Sequence, residues 1–211
     1  MNREQLLAVS DEQILDEIKR LQYLFSHNKI IRHGLNCDGE EYVTQSVSEH
    51  IYNMMTLAEY FRPLEDPDNQ WDWEKIHRMI LWHDSPELET GDMNKHQKTP
   101  DSEKLEEEAI PIVCDKVPVG IADMFSKIVH EYEERISMES IFVKALDSLE
   151  ATISTYGEDG RDRYVKSVGA TKEVHDYYYK IQSERVKDFS SISRFLQLLF
   201  ERMYKEKYYK E

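Results

Sequence analysis

The sequence predicts an all-α fold in a single domain. Only seven Gly and six Pro interrupt its 211 residues, so turn signals are sparse. Apolar residues recur at intervals of three and four, which is the period of an amphipathic helix. The length suits one domain with a substantial core and is short for two. We therefore expect one helical domain over residues 1–211.

Composition limits the classes of partner. The net charge of −15 and the pI near 5.0 oppose binding to a nucleic-acid polymer or an anionic membrane. A small phosphorylated ligand stays compatible, because a metal and a few local cations can overcome the overall field. Two cysteines are too few for a disulfide framework. No apolar run reaches bilayer length and no signal-peptide pattern starts the chain, so we expect a soluble, cytoplasmic protein.

The first two predicted helices each begin with a capping box. Ser10 and Gln13 start a helix whose apolar stripe predicts a scaffold role. Ser46 and Glu49 start the next, and His50 lies one turn inside it. A lone histidine there is more often a core residue than a ligand, so its role depends on a partner. The first stripe is Ile14, Ile18, Leu21 and Phe25, and the second is Val47, Ile51, Met54, Ala58 and Phe61.

Residues 27–45, between these helices, lack a helical period and are interpreted as a loop. Arg32 and His33 stand out in it, because an arginine side chain commonly binds phosphate. A surface ion pair between Arg32 and a nearby acid is the alternative, which spacing alone favours. Residues 62–70 contain two prolines and predict a polar linker after the second helix.

The strongest helix signal starts at Trp73 and ends at a histidine–aspartate dipeptide. His83 and Asp84 offer a neutral nitrogen and an anionic oxygen to a single cation. Pro86 cannot continue the hydrogen-bond pattern, so the helix must kink or end and restart, with Asp84 or Ser85 as the cap. The apolar face consists of Trp73, Ile76, Met79, Ile80 and Trp82.

Two more carboxylates follow this dipeptide. Glu87 lies about one turn beyond it, and Gly91 is predicted to end the helix and release Asp92 into a loop. These two carboxylates and the dipeptide therefore place four candidate groups, His83, Asp84, Glu87 and Asp92, within the ten residues 83–92. Their concentration at the end of an apolar helix makes this segment the centre of the predicted site.

A local excess of cations comes next, in the loop MNKHQKTP. Lys95, His96 and Lys98 could hold a substrate phosphate or could be solvated loop residues, and the pattern favours neither. Pro100 then predicts a helix start, and the acidic residues 106–108 predict a solvated face. That helix is expected to turn Leu105, Ala109, Ile112 and Val113 inward.

Asp147 is the last candidate, in the apolar sequence VKALDSLEA of a helix predicted over residues 137–156. Aspartate is a poor helix former, and a carboxylate withdrawn from water needs a partner or a cation. A helix through Phe125 is predicted before this segment. Two or three helices over residues 161–211 are predicted after it, packing on the preceding core.

The order H…HD…D in these candidates resembles the signature of the HD-domain metal-dependent phosphohydrolases. A bare HD dipeptide carries little information. Four segments in order, within about residues 15–155, narrow the resemblance to the 5′-deoxynucleotidase branch, whose members dephosphorylate deoxynucleoside monophosphates. These segments are SVSEH, LWHDSPELETGD, KLEEEA and EYEERISMESIFVKALDSLEA.

The resemblance implies an HD-type helical bundle and a metal-dependent 5′-nucleotidase. One divalent ion would be bound with positions left open, and metal-bound water would attack phosphorus. Two nitrogen and two carboxylate ligands suit Mn, Fe, Co or Zn. The implied ligands are His50, His83, Asp84 and Asp147.

Roles for other residues also follow from the resemblance. Glu87 would transfer protons or orient the water, although a helix N-terminal cap is its alternative role. Asp92 would help to place the sugar and the water network, and Arg32 matches the phosphate-side arginine of the family. His33 stands where the branch typically has a tryptophan that contacts the sugar, so 2′-deoxy selectivity is not carried over. Pro86 and the cationic loop also depart from the common patterns.

The leading hypothesis is therefore a phosphohydrolase that acts on nucleoside or deoxynucleoside monophosphates. One alternative keeps the chemistry but takes a nucleotide pyrophosphate or another small phosphate ester. The other is a non-catalytic helical nucleotide-binding module that retains the metal as a staple. Homodimers are common in the family, so a homodimer is one possible assembly.

Overall fold

The computed structural model describes residues 10–32, 45–92, 100–157, 161, 165 and 170–210. Its regular secondary structure over these residues is helical, and an isolated antiparallel bridge joins Ile31 to Ser46. The all-α prediction is confirmed. The helices are α1 Asp11–Phe25, a 3₁₀ helix Ser26–Lys29, α2 Val47–Glu65, α3 Trp73–Trp82, α4 Glu87–Thr90, α5 Pro100–Lys116, α6 Ala122–Glu134, α7 Met138–Thr155, α8 Lys172–Val186 and α9 Ser190–Lys205.

Helix boundaries follow the signals in the sequence. Both predicted capping boxes form, with the Ser10 and Ser46 hydroxyls accepting from the third residue of α1 and α2. Asp72 caps α3 in the same way through the N–H of Lys75. Gly91 ends α4 with a φ of 70°, a conformation that favours glycine. The described part of the chain contains no helix long and apolar enough to cross a membrane.

Helix α7 lies at the centre of the packing. It contacts α2, α3 and α6 and also the C-terminal helices α8 and α9. Its apolar residues are therefore enclosed from several directions, and Phe142, Leu146 and Leu149 are fully buried. The apolar face of α3 is buried against it, as predicted. This arrangement brings the end of α3 and the middle of α7 close to the first turn of α2.

The predicted linker over residues 62–70 is partly wrong, because α2 continues through Pro63 to Glu65. Tertiary contacts outweigh the helix-breaking effect of the proline. The Glu65 carboxylate accepts from the backbone N–H of Ser191 at 2.7 Å, which ties the end of α2 to the start of α9. The predicted cap of the helix that follows α3 is also wrong. Pro86, and not Asp84 or Ser85, occupies the N-cap position of α4, and it makes no side-chain hydrogen bond there.

Two apolar stripes face differently from their prediction. On α5, Leu105 and Ile112 are exposed, whereas Ala109 and Val113 are buried as predicted, together with Ile110. The helix is therefore rotated relative to the predicted face. The predicted scaffold stripe of α1 is more exposed than expected, from 39% at Ile14 to 64% at Phe25. Helical spacing identifies an apolar face but does not say which element covers it.

The turn between α2 and α3 depends on one buried carboxylate, that of Asp66. It accepts from the backbone N–H groups of Gln70 and Trp71 and from the indole N–H of Trp73 at 2.7 Å. Burial opposes ionisation, but these hydrogen bonds lower the pKa of Asp66 overall. Three N–H groups point at this side chain, so the position requires a group that only accepts hydrogen bonds, such as an ionised carboxylate.

The variant Asp66→Asn should lower the free energy of unfolding by about 1–3 kcal/mol at neutral pH, because its amide places a donor against another donor. Urea unfolding measures this loss. The lowered pKa means that the stabilisation from Asp66 is present above its unfolded pKa and is lost below it. The difference between the variant and the wild type should therefore narrow below about pH 4. An equal difference at pH 3 and pH 7 would contradict the role of the charge.

Candidate functional site

Three helices bring the four predicted metal ligands together. His50 comes from α2, His83 and Asp84 follow α3, and Asp147 comes from α7. One ligand atom each from His50, His83 and Asp84 forms a group with all separations within 4.8 Å. The Nε2 atom of His50 lies 3.5 Å from the Asp147 carboxylate and 3.7 Å from that of Asp84. His83 Nε2 lies 3.1 Å from Asp84 Oδ1.

Both imidazoles turn the same nitrogen toward these carboxylates. The Nδ1 atom of His50 is 2.7 Å from Glu150 Oε2, and that of His83 is 2.9 Å from the carbonyl oxygen of Ile80. An acceptor beside Nδ1 fixes the proton there and leaves Nε2 with its lone pair. Both Nε2 atoms are buried and make no hydrogen bond within the described residues. Two buried nitrogens of this kind beside two carboxylates fit a divalent metal ion.

Arg32 is buried and lies against two of the carboxylates. Its guanidinium is 3.1 Å from Asp84 Oδ2 and 3.7 Å from Asp147 Oδ1. The bridge between Ile31 and Ser46 holds this arginine beside the N-terminus of α2, where its backbone N–H donates to Gln45. The surface ion pair favoured by spacing is therefore wrong, because the partners are distant in sequence and the pair is buried.

The pKa directions show that this cluster stabilises its charges. Burial would raise the pKa of Asp84, but the His83 imidazole in its protonated form and the Arg32 guanidinium hold it well below its usual range. Burial and Arg32 would lower the pKa of His50, but the carboxylates of Asp147 and Glu150 raise it overall. Burial would lower the pKa of Arg32, yet it is raised by Asp84, Asp147, Glu87 and Asp92.

Asp147 also forms an ion pair with a cation on its own helix. Lys144 lies one turn earlier on α7, and its Nζ is 2.8 Å from Asp147 Oδ2. The same ammonium donates to the hydroxyl of Tyr132 at 3.3 Å. Burial raises the pKa of this tyrosine well above its usual value, so its hydroxyl stays neutral. Asp147 therefore has a cation on each side, Arg32 and Lys144.

A cleft of about 310 Å³ opens beside this cluster. His83, Asp84 and Glu87 lie in its wall with Lys144. Asp84 is the partly exposed member of the candidate ligands, so a molecule in the cleft can approach it. Two further cations, Arg135 and Arg185, also line the cleft, as do acidic residues of α5 and α6.

The remaining predicted site residues fall into two groups. Asp92 is described, and its charge acts on Arg32, which places it in the electrostatic neighbourhood of the cluster. His33, Lys95 and Lys98 lie outside the described residues, as does His96. Their predicted contacts with substrate stay predictions.

Sequence reasoning missed several residues that surround the cluster. Glu150 and Lys144 flank Asp147 by three residues on either side, so one helix face carries all three. That spacing was the available signal. Arg135 and Arg185 gave no signal, because each reaches the cleft only through the packing of α6 and α8.

Comparisons with known proteins identify the family of this chain. The HD domain family model matches residues 28–188. This chain belongs to the HD domain family. The curated protein 5′-deoxynucleotidase HDDC2 of Mus musculus is 32% identical over 108 residues, which are 50% of this chain and 52% of that protein. The HDDC2 protein of Homo sapiens is also 32% identical over 108 residues, which are 50% of each chain.

This HD-domain chain thus spans about half the length of those curated relatives. The predicted family is confirmed, and these relatives carry the name of the predicted branch. A predicted metal-dependent phosphohydrolase from Magnetospirillum magnetotacticum MS-1 has a TM-score of 0.76 at 20% identity, over 95% of this chain and 100% of that one. The cyanophage S-2L HD phosphohydrolase DatZ, solved with dA and one catalytic Zn²⁺ ion, has a TM-score of 0.53 at 20% identity, over 88% and 96%. At this identity the two structures show a shared fold.

The variant Arg32→Gln should lose about 3–5 kcal/mol of unfolding free energy in EDTA, since it leaves Asp84 and Asp147 without this buried cation. Urea unfolding with the metal chelated measures the loss. Arg78→Gln is a matched control, because Arg78 pairs with Glu74 on an exposed face of α3 and should cost under about 1 kcal/mol. Equal losses in the two variants would contradict the charge balance described above.

Proposed function

We propose that this chain is a metal-dependent phosphohydrolase that removes the 5′-phosphate from nucleoside monophosphates, including the deoxy forms. One observation carries the proposal. Among the described residues, two buried imidazoles turn Nε2 atoms that make no hydrogen bond toward the carboxylates of Asp84 and Asp147, beside a cleft that a small molecule can enter.

The proposed metal ligands are His50, His83, Asp84 and Asp147. Their donor set of two nitrogens and two carboxylates suits Mn²⁺, Co²⁺, Zn²⁺ or Fe²⁺. Such an ion, when bound, supplies Lewis-acid charge to a phosphoryl oxygen and lowers the pKa of water toward neutrality. The histidines are held by partners outside the ligand set, which keeps their rings oriented without using the donor atoms.

Glu87 is the proposed proton-transfer residue. Its carboxylate lies in the cleft wall next to His83 and Asp84, where it can take a proton from the attacking water and return it to the leaving oxygen. Asp92 is the proposed sugar-side residue, since it follows the turn at Gly91 and its charge acts on the same cluster. Both roles are those that the family resemblance implies.

The cleft suits an anionic molecule of nucleotide size. Its volume of about 310 Å³ is at the lower end of the range for small-ligand pockets. Lys144, Arg135 and Arg185 line it together with five carboxylates, so a bound metal ion would supply the further positive charge that an anionic substrate needs. We propose that the substrate phosphate binds at this wall of the cleft. The predicted substrate-binding residues Arg32, His33, Lys95 and Lys98 would contribute to the same binding.

The relatives guide the choice of first substrates. The curated proteins are named 5′-deoxynucleotidases, and together with the family match this supports deoxynucleoside monophosphates as the first class to assay. The Zn²⁺ ion of the cyanophage protein adds Zn²⁺ to the metals worth testing. We also propose a homodimer as the assembly that family resemblance implies.

Phosphate release from a panel of deoxy- and ribonucleoside monophosphates tests the proposed reaction. The EDTA-treated protein should be inactive, and Mn²⁺, Co²⁺ or Zn²⁺ should restore release. Activity on nucleoside triphosphates or other esters alone would favour the alternative substrate class. Metal-dependent thermal stabilisation without any turnover would favour a metal-stapled binding module.

Two carboxylate variants should separate metal binding from proton transfer. Asp84→Asn should abolish tight metal binding and activity together, because it removes a ligand charge. Glu87→Gln should keep the metal affinity and lower kcat by about 10²–10⁴-fold. Calorimetric metal titration and steady-state kinetics measure these effects.

Glu89→Gln controls for the loss of a carboxylate on the same short helix. Glu89 faces away from the cluster, toward Lys116 and Tyr23. Its substitution should change neither the metal affinity nor kcat. Near-wild-type kcat in Glu87→Gln would show that the proton is handled by another group.

Arg185→Gln should raise KM by about tenfold and change kcat less, because a charge at the cleft wall contributes mainly to binding the phosphate. Lys187→Gln removes a cation two residues further along, which pairs with Glu184 at an exposed position. It should leave KM unchanged. Equal kinetics for Arg185→Gln and the wild type would exclude this wall as the phosphate side.

A further inference from the structure

The Glu150 carboxylate is the most deeply buried acid beside the metal cluster. It lies on α7, three residues after Asp147, and the residue is 1% exposed. Its Oε2 atom is 2.7 Å from His50 Nδ1, so it contacts a proposed ligand on the side away from the other ligands. It does not line the cleft, which leaves no direct role toward a substrate.

Other donors already hold both carboxylate oxygens in place. Oε1 accepts from the Asn53 amide at 2.9 Å and from the Ser154 hydroxyl at 2.7 Å. Oε2 also accepts from the Gln45 amide at 3.3 Å. Because an ionised carboxylate only accepts hydrogen bonds, the atom facing it on His50 must be a donor. The proton of the neutral imidazole therefore sits on Nδ1.

We propose that Glu150 is a positioning residue that fixes the tautomer of His50, so that Nε2 keeps a bare lone pair for the metal. The inference rests on the proposed metal-dependent function. His83 obtains the same tautomer from a main-chain carbonyl, that of Ile80, which no side-chain substitution removes. The effect of the Nδ1 partner on the tautomer can therefore be tested by mutation at Glu150.

The substitution Glu150→Gln preserves shape but introduces a donor. If the new amide oxygen keeps the bonds to Asn53 and Ser154, its NH₂ group faces His50 Nδ1. The histidine must then accept at Nδ1 and carry its proton on Nε2, where it blocks the metal. Loss of an outer partner of a ligating histidine typically weakens metal binding by 10- to 100-fold.

The direct readout is the tautomer of His50 in the metal-free protein, recorded at alkaline pH so that the imidazole is neutral. Long-range ¹H–¹⁵N correlation spectra distinguish a protonated from an unprotonated ring nitrogen, and His50→Gln assigns the signal. In the wild type, Nδ1 should be protonated and Nε2 bare. In Glu150→Gln, the pattern should reverse or become mixed. A neutral wild-type His50 whose single ring proton lies on Nε2 would overturn the proposal whether or not the variant folds.

Calorimetric titration of EDTA-stripped protein with Mn²⁺ and with Zn²⁺ supplies the second readout. Glu150→Gln should bind each metal about 10- to 100-fold more weakly than the wild type. Ser154→Ala removes one hydrogen bond of Glu150 but leaves the contact with His50, so it should lose much less. Asp66→Asn disturbs a different buried carboxylate and should lower the free energy of unfolding without weakening metal binding.

The outcomes separate this inference from the proposed function. A wild type that binds neither metal would defeat the proposed function itself. A wild type that binds metal, with Glu150→Gln binding equally well and keeping the same tautomer, would overturn the role of Glu150 alone. A loss of affinity matched by Asp66→Asn would reduce Glu150 to a general structural carboxylate.

Discussion

Charge burial at the junction of α2, α3 and α7 is the constraint on which the rest of this structure depends. The carboxylates of Asp147 and Glu150 are almost fully buried, and Asp84 beside them is only partly exposed. Removing an isolated carboxylate from water costs several kcal/mol, so each must have a cation or several donors. Arg32 pairs with both Asp84 and Asp147, and Lys144 pairs with Asp147. Glu150 is hydrogen-bonded by amide, hydroxyl and imidazole groups.

This constraint explains why the surrounding fold is so closely packed. Helix α7 carries three members of the cluster on one face, Lys144, Asp147 and Glu150, and packs against two groups of helices. Its apolar residues fix the depth of these groups, because Leu146 and Leu149 alternate with them and are fully buried. Helix α3 ends where His83 and Asp84 can meet the same face. The helices thus hold the donors in place before any ligand arrives.

Local sequence signals predicted much of this arrangement. Capping boxes marked the starts of α1 and α2, helical spacing marked the buried face of α3, and the apolar context of Asp147 indicated a burial that the structure bears out. These features depend on neighbours within one or two turns. The family resemblance then related His50 to residues far away along the chain, which spacing by itself left as an ordinary core histidine.

The features that sequence reasoning missed depend on contacts between distant segments. Spacing alone favoured a surface ion pair for Arg32, and its burial against Asp84 follows from a backbone bridge to Ser46 and the docking of two other helices. Arg185 reaches the cleft from α8 for the same reason. The exposed stripe on α1 shows the converse, since apolar spacing predicted burial where no described element covers the face.

The central claim is that His50, His83, Asp84 and Asp147 bind one divalent metal ion. Anomalous diffraction from crystals grown with Zn²⁺ tests it most directly, because data collected on both sides of the zinc absorption edge locate the ion and identify its element. We expect a single strong zinc peak among these four side chains, in contact with Nε2 of both histidines. A fully ordered site without a peak there, or a peak bound only by surface residues elsewhere, would contradict it.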